Sequence, residues 1–140
     1  MSEPIYILYI DRYHLDDSLF LQALARTLAR GMKPEHAFVL VHGAGELAER
    51  RLEAEGYDVR RVDGVLDVRS THEIEIVERA VRESNQKVVT VLTDGAVHAV
   101  GLQGVDRGLL QLQEDGRVYA PNAAWVRELA EKRAVPVVKF

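Results

Sequence analysis

Residues 37–41 read Ala-Phe-Val-Leu-Val, with no polar position among them. A strand of that composition offers no face to water, so both of its sides must be covered, the situation of a parallel sheet sandwiched between helices. The next residues fit that demand. His42-Gly43-Ala44-Gly45 turns the chain, and the segment Glu46 to Glu55 then sets Leu47, Ala48 and Leu52 on one helical face, ending at Gly56.

The same alternation runs along the chain. Ile5 to Ile10 is an apolar run rich in β-branched and aromatic residues, broken by Asp11, and reads as a buried strand. Asp16 and Asp17 are candidate caps for a helix carrying Phe20, Leu21, Leu24 and Leu28, which stops at Gly31 with Pro34 in the loop beyond. Tyr57 to Val62 predicts a short strand, and Asp63-Gly64 a turn. Ser70-Thr71-His72-Glu73 has capping-box spacing and opens a helix over 70–84 with Ile74, Val77, Ala80 and Val81 inward and Ile76 widening the stripe. That breadth predicts deep burial or a subunit contact. Lys87 to Leu92 predicts a third strong strand, ended by Thr93-Asp94-Gly95. From Ala99 onward, short apolar pieces separated by Gly104, Gly108 and Gly116 predict small strands or a hairpin excursion. Asn122 is the expected N-cap of a helix with Trp125, Val126 and Leu129 inward. Val135 to Val138 is the last strand, with Pro136, which lacks an amide donor, expected at its start. The predicted fold is a three-layer α/β/α sandwich around a mainly parallel sheet, a single domain over 1–140.

Several function classes fall away on composition. There is no cysteine, which excludes disulfides, thiolate catalysis and cysteine-held metal. The 18 Lys and Arg are outnumbered by 22 Asp and Glu, and no basic cluster provides a nucleic-acid footprint. No run approaches a membrane span, and the start has no export pattern, so a cytoplasmic location is expected, without membrane or nucleic-acid partners. The five histidines are dispersed, with no metal-ligand spacing, and neither a metal nor a cofactor is expected. No Gly-x-Ser-x-Gly elbow exists, and Asp94 and Asp106 read as turn residues.

The strand-to-helix bend at 42–45 is the most informative spot. Its glycines, with the free amides of the first helical turn, suit an anion such as a carboxylate or phosphate; a tight crossover needing small residues explains them equally well. It is neither a dinucleotide fingerprint nor a P-loop. His42, at the junction, is a candidate ligand contact or a backbone partner.

Val39-Leu40-Val41-His42-Gly43-Ala44-Gly45 together with Ala99-Val100-Gly101-Leu102-Gln103-Gly104-Val105-Asp106 resembles the amino acid kinase family, in its acetylglutamate kinase branch. Leu52 with Glu55-Gly56, Val62-Asp63-Gly64, the segment 71–81, the segment 84–92 and Val135-Pro136-Val137-Val138 come in family order, so the resemblance spans almost the whole chain and corresponds to the family's N-terminal, substrate-binding half. It implies that Gly43, Ala44 and Gly45 line an acyl-amino-acid pocket, that Asn85 and Gly101 lie in matching segments, and that the Ser70–Ser84 helix packs across a homodimer axis. Against the family's Lys-x-Gly-Gly loop, this chain has Tyr9, Asp11 and Arg12; Asp11 brings negative charge where a triphosphate would lie, and Arg12 is a candidate anion contact that could stand in for the lysine. Asp67 falls at the position of the family's carboxylate-gripping arginine, with Arg69 two residues on as the candidate substitute. Residues 1–140 show no segment resembling the nucleotide half, so no such half is expected. The resulting expectation is a module that binds a small anionic metabolite, a carboxylate or acylated amino acid, through Gly43, Ala44, Gly45, His42, Arg69 and Asn85, and is not an independent kinase. The alternatives are the substrate half of a split kinase, with a separate nucleotide-binding subunit, and a structural dimerisation protein with a vestigial pocket.

Overall fold

The computed structural model describes residues 4–31 and 36–140; the expected Pro34 loop lies outside them. Four strands form one parallel sheet in the order β1-β2-β8-β5: β1 is Ile5–Ile10, β2 Ala37–His42, β5 Ala99–Gln103 and β8 Val135–Lys139. The helices are α1 (Ser18–Gly31), α2 (Glu46–Ala54), α3 (Thr71–Asp94) and α4 (Ala123–Glu131). Two small hairpins complete the molecule: β3 (Arg61–Val62) with β4 (Val65–Leu66), and β6 (Gln111–Leu112) with β7 (Val118–Tyr119).

The apolar stretch 37–41 of β2 is covered on both sides, as its composition requires. On one face Leu40, Val135 and Val137 meet Leu21, Ala25 and Leu28 of α1 and Val88 and Leu92 of α3. On the other, Val39 and Val138 meet Ala130 of α4, with Trp125 and Leu129 beside them. The chain is therefore a three-layer α/β/α sandwich, with α2 lying against α3.

Several expectations need correction. Lys87 to Leu92 is not a strand: α3 runs unbroken from Thr71 to Asp94. Its capping box is formed, Glu73 N donating to Ser70 Oγ at 3.1 Å and Ser70 N to Glu73 Oε1 at 3.2 Å. No Gly or Pro interrupts it before Gly95. Ala80, Val81, Ser84, Asn85, Val88 and Leu92 are its buried residues, a 3.6-residue pattern that continues through the β-branched stretch. The strand expected there is supplied by β5, one of the small strands expected from Ala99 onward, which forms an edge of the main sheet, while β6 and β7 make the expected hairpin. Tyr57 to Val62 shortens to β3, paired across Asp63-Gly64, where φ of 51° and 82° makes the two-residue turn that suits a tight hairpin.

Pro136 is the second residue of β8, inside the sheet. Val135 N donates to His98 O, so the alternation of the strand turns the Pro136 nitrogen toward β2, whose register with β8 begins only at Val137. The missing donor thus falls where no ladder bond is required. Asn122 precedes α4 without a side-chain cap, its amide donating instead to Arg107 O at 3.1 Å.

Candidate functional site

β2 ends at His42, and α2 starts at Glu46 with Gly45 in the N-cap position. This is the bend that the sequence singles out, and the chain's own side chains close on it. Asp16 reaches across from the segment before α1: its Oδ2 accepts from Leu47 N at 3.1 Å, its Oδ1 from Ser84 Oγ at 2.8 Å, and its carbonyl from Lys87 Nζ at 3.1 Å. A carboxylate on the first turn of a helix is favoured by the free amides and the dipole there. Gly45 is needed for this approach, because a Cβ would come within 2.9 Å of both Asp16 Oδ2 and Leu15 Cδ2. On the other side of the bend, the Phe140 ring would lie 3.4 Å from a Cβ at Gly43. Phe140 N donates to His42 O at 3.1 Å, and its ring stacks on Tyr9 with centroids 6.4 Å apart.

His42 and Asn85, both ligand candidates from sequence, are brought together and turned inward. His42 is wholly buried. Asn85 Nδ2 donates to His42 Nε2 at 3.0 Å and to Val137 O at 3.0 Å. His42 Nε2 is then an acceptor, so Nδ1 carries the proton and donates to Gly43 O at 3.0 Å. Burial, reinforced by the charge of Lys139, pulls the imidazole pKa below its ordinary value against the Gly43 bond and Asp16. The ring is neutral and its nitrogens are engaged within the fold. A Cβ at Gly101 would collide with Asn85 Oδ1, which explains the glycine in β5.

The other candidates are placed elsewhere. Arg12 donates to Glu49 Oε1 at 2.9 Å and to Tyr13 Oη at 2.6 Å, and Glu49 also receives Arg61. Asp11 caps a turn: its Oδ1 accepts from Tyr13 N and His14 N and lies 2.7 Å from His14 Nδ1, the bond that chiefly holds its pKa below the usual carboxylate value. Arg69 bonds Asp67 at 3.0 and 3.2 Å and lines a small cleft with Tyr57, Arg60 and Glu73, and no contact among the described residues joins it to the bend.

Two residues escape the sequence reading. Asp16 reads as a helix cap, yet Asp17 caps α1, accepting from Leu19 N and Phe20 N. Nothing local predicts that Asp16 spans to α2. Lys139 falls outside the strand expected over Val135 to Val138, yet it ends β8, is buried and lines a separate cleft of about 620 Å³ at the carboxyl ends of β5 and β8, roofed by α3 and the β6–β7 hairpin. That location, beyond the carboxyl ends of a parallel sheet, is where α/β folds usually take ligands. No group of described residues forms a candidate metal cluster, and no described helix is long and apolar enough to cross a membrane.

Comparison with known proteins gives this arrangement a lineage. The chain is 34% identical over 132 residues to the acetylglutamate kinase of Chloroflexus aurantiacus, covering 94% of this chain and 49% of that protein. It is 36% identical over 126 residues to that of Deinococcus radiodurans, covering 84% and 47%. The chain thus spans about half the length of these relatives. Among solved structures, the smu.665 protein of Streptococcus mutans superposes with a TM-score of 0.76 at 19% identity, covering 99% of this chain and 59% of that one. An N-acetylglutamate synthase from Neisseria gonorrhoeae superposes with a TM-score of 0.74 at 15% identity, covering 99% and 34%. These two likenesses establish the fold. The sequence pattern of the amino acid kinase family matches residues 12–139, and this chain belongs to that family.

Proposed function

We propose that this chain is a non-phosphorylating member of the amino acid kinase family, corresponding to its N-terminal, substrate-binding half, which retains that half's carboxylate seat in a self-occupied form. One observation carries the reading: the bend that the family resemblance assigns to an acylated amino acid already holds a carboxylate, that of Asp16, on the Leu47 amide. The seat has the right chemistry for an acid, and the chain supplies one from within. An incoming acylated amino acid competes with a tethered side chain that is also fixed by Ser84. Binding at the bend is therefore weak until Asp16 is removed.

The environment disfavours phosphoryl transfer, which depends on positive charge placed around the moving group. Asp11 is anionic in its turn, and Arg12, the candidate replacement for the family lysine, is committed to Glu49.

The experiment is a thermal-shift titration with N-acetylglutamate, paired with an assay of phosphoryl transfer from ATP. We expect little stabilisation of the natural chain, a clear ligand-dependent increase in Tm for Asp16→Ala, and an intermediate response for Asp16→Asn, which keeps the shape without the charge. None of the three forms is expected to transfer phosphate. Turnover by the chain alone, or an Asp16→Ala protein no more responsive than the natural one, overturns the reading.

A further inference from the structure

We infer that the cleft between α3 and the β6–β7 hairpin is a binding site for an aliphatic monocarboxylate, with Lys139 as the anchor of its acid group. The cleft is distinct from the glycine bend, and the Phe140 ring stands between them, against Gly43 on one side and lining the cleft on the other.

Two independent observations point to a ligand. The first is the wall. Val77 and Val81 of α3, Val105, Leu110, and Leu112 and Val118 of the hairpin give an almost wholly apolar lining. Val105, Leu112 and Val118 are left with 79%, 74% and 62% of their surface exposed, a concentration of bare apolar side chains around one concavity. Its volume, about 620 Å³, lies within the range of small-molecule sites.

The second observation is the charge. Lys139 is only 7% exposed and lines this cleft, yet its ammonium has no hydrogen-bond or ion-pair partner among the described residues. Its stem is covered by the fold while the ammonium stays open to the cleft, where it can pair with an incoming anion. Burial, helped by the charge of Arg82, draws its pKa below the ordinary lysine value, while Glu78 and Asp106 act the other way. Both acids are already engaged: Glu78 Oε1 accepts from Arg82 at 2.6 Å, and Asp106 Oδ2 from Gln103 N at 2.8 Å. What remains is one unpaired positive charge at the end of an apolar trough.

The complementary ligand has one negative charge and an apolar body. A carboxylate supplies that charge; a dianionic phosphate adds a second beside Glu78 and Asp106. A second copy of this chain is the competing occupant. A two-fold contact centred on the cleft repeats the same patch on both partners and brings a second Lys139 toward the first, which leaves the charge uncompensated.

The test is a titration of the full chain with octanoate, octyl phosphate and octanol, followed by calorimetry and by methyl chemical shifts of the cleft residues. We expect saturable one-to-one binding of octanoate, with shifts confined to the cleft, and weaker binding of octyl phosphate. Lys139→Met should weaken octanoate at least tenfold while leaving octanol unchanged, and Lys139→Arg should restore much of the loss. Should Lys139→Met fold poorly, Val118→Trp, a change on the exposed hairpin, fills the cleft and should abolish both ligands. Octanoate affinity unaffected by Lys139→Met, tighter octyl phosphate, or cleft shifts that depend on protein concentration and resist octanoate each overturn the assignment. Asp16→Ala should leave octanoate affinity untouched, so failure of either site is read separately from failure of the other.

Discussion

His42 illustrates how a buried polar side chain is made tolerable in this sheet. Its ring sits between the Asn85 amide and the Gly43 carbonyl, and that pairing requires the neutral form. In the unfolded chain the imidazole takes up a proton near its ordinary pKa of 6.5; in the fold, burial holds the value lower. Between the two values the unfolded state binds more protons, so stability rises with pH through that window. The contribution is fully present above 6.5 and is lost as the solution becomes more acidic, with a slope of at most about 1.4 kcal/mol per pH unit. Denaturant titrations at a series of pH values should show this slope in the natural protein. His42→Gln should flatten it in the same window, and an unchanged slope would place the proton elsewhere.

At the scale of elements, α3 is the member whose start signal matters most. Ser70 and Glu73 satisfy each other's backbone donors, and the helix they open carries both the sheet-facing core and one wall of the cleft. Ser70→Ala should cost about 0.5–2 kcal/mol, measured as a lowered denaturation midpoint with an unchanged denaturant slope. The length of α3 is also where the sequence misleads. The start at Ser70, the bend at 42–45 and the apolar strands are legible because each has a local cause: a reciprocal cap, small residues, or an apolar run. The stretch from Lys87 to Leu92 has strand-like residues, and only its register with Ala80, Ser84 and Asn85 shows that it extends a helix already under way. Tertiary packing decides there, against local preference. The candidate site divides in the same manner. Glycine positions are readable because they answer local crowding, but Asp16 and Lys139 acquire their roles from neighbours far away in sequence, to which no spacing rule points.

Over the whole molecule, the two apolar layers meet at the sheet, and Leu40 of β2 is fully enclosed. Leu40→Ala should destabilise the protein by about 2–5 kcal/mol, read from equilibrium unfolding, and should disturb β1 and β8 together because β2 pairs with both. The strand order carries a further consequence for how the protein is made. β8 follows the other three strands of the sheet in sequence but lies between β2 and β5, with Leu40 opposite Val137. Until the ribosome has released residues 135–139, the nascent polypeptide has two unjoined halves of a sheet, each presenting raw backbone donors and acceptors to any passing strand. Stalled or truncated translation products of this protein are therefore the forms expected to need chaperones most.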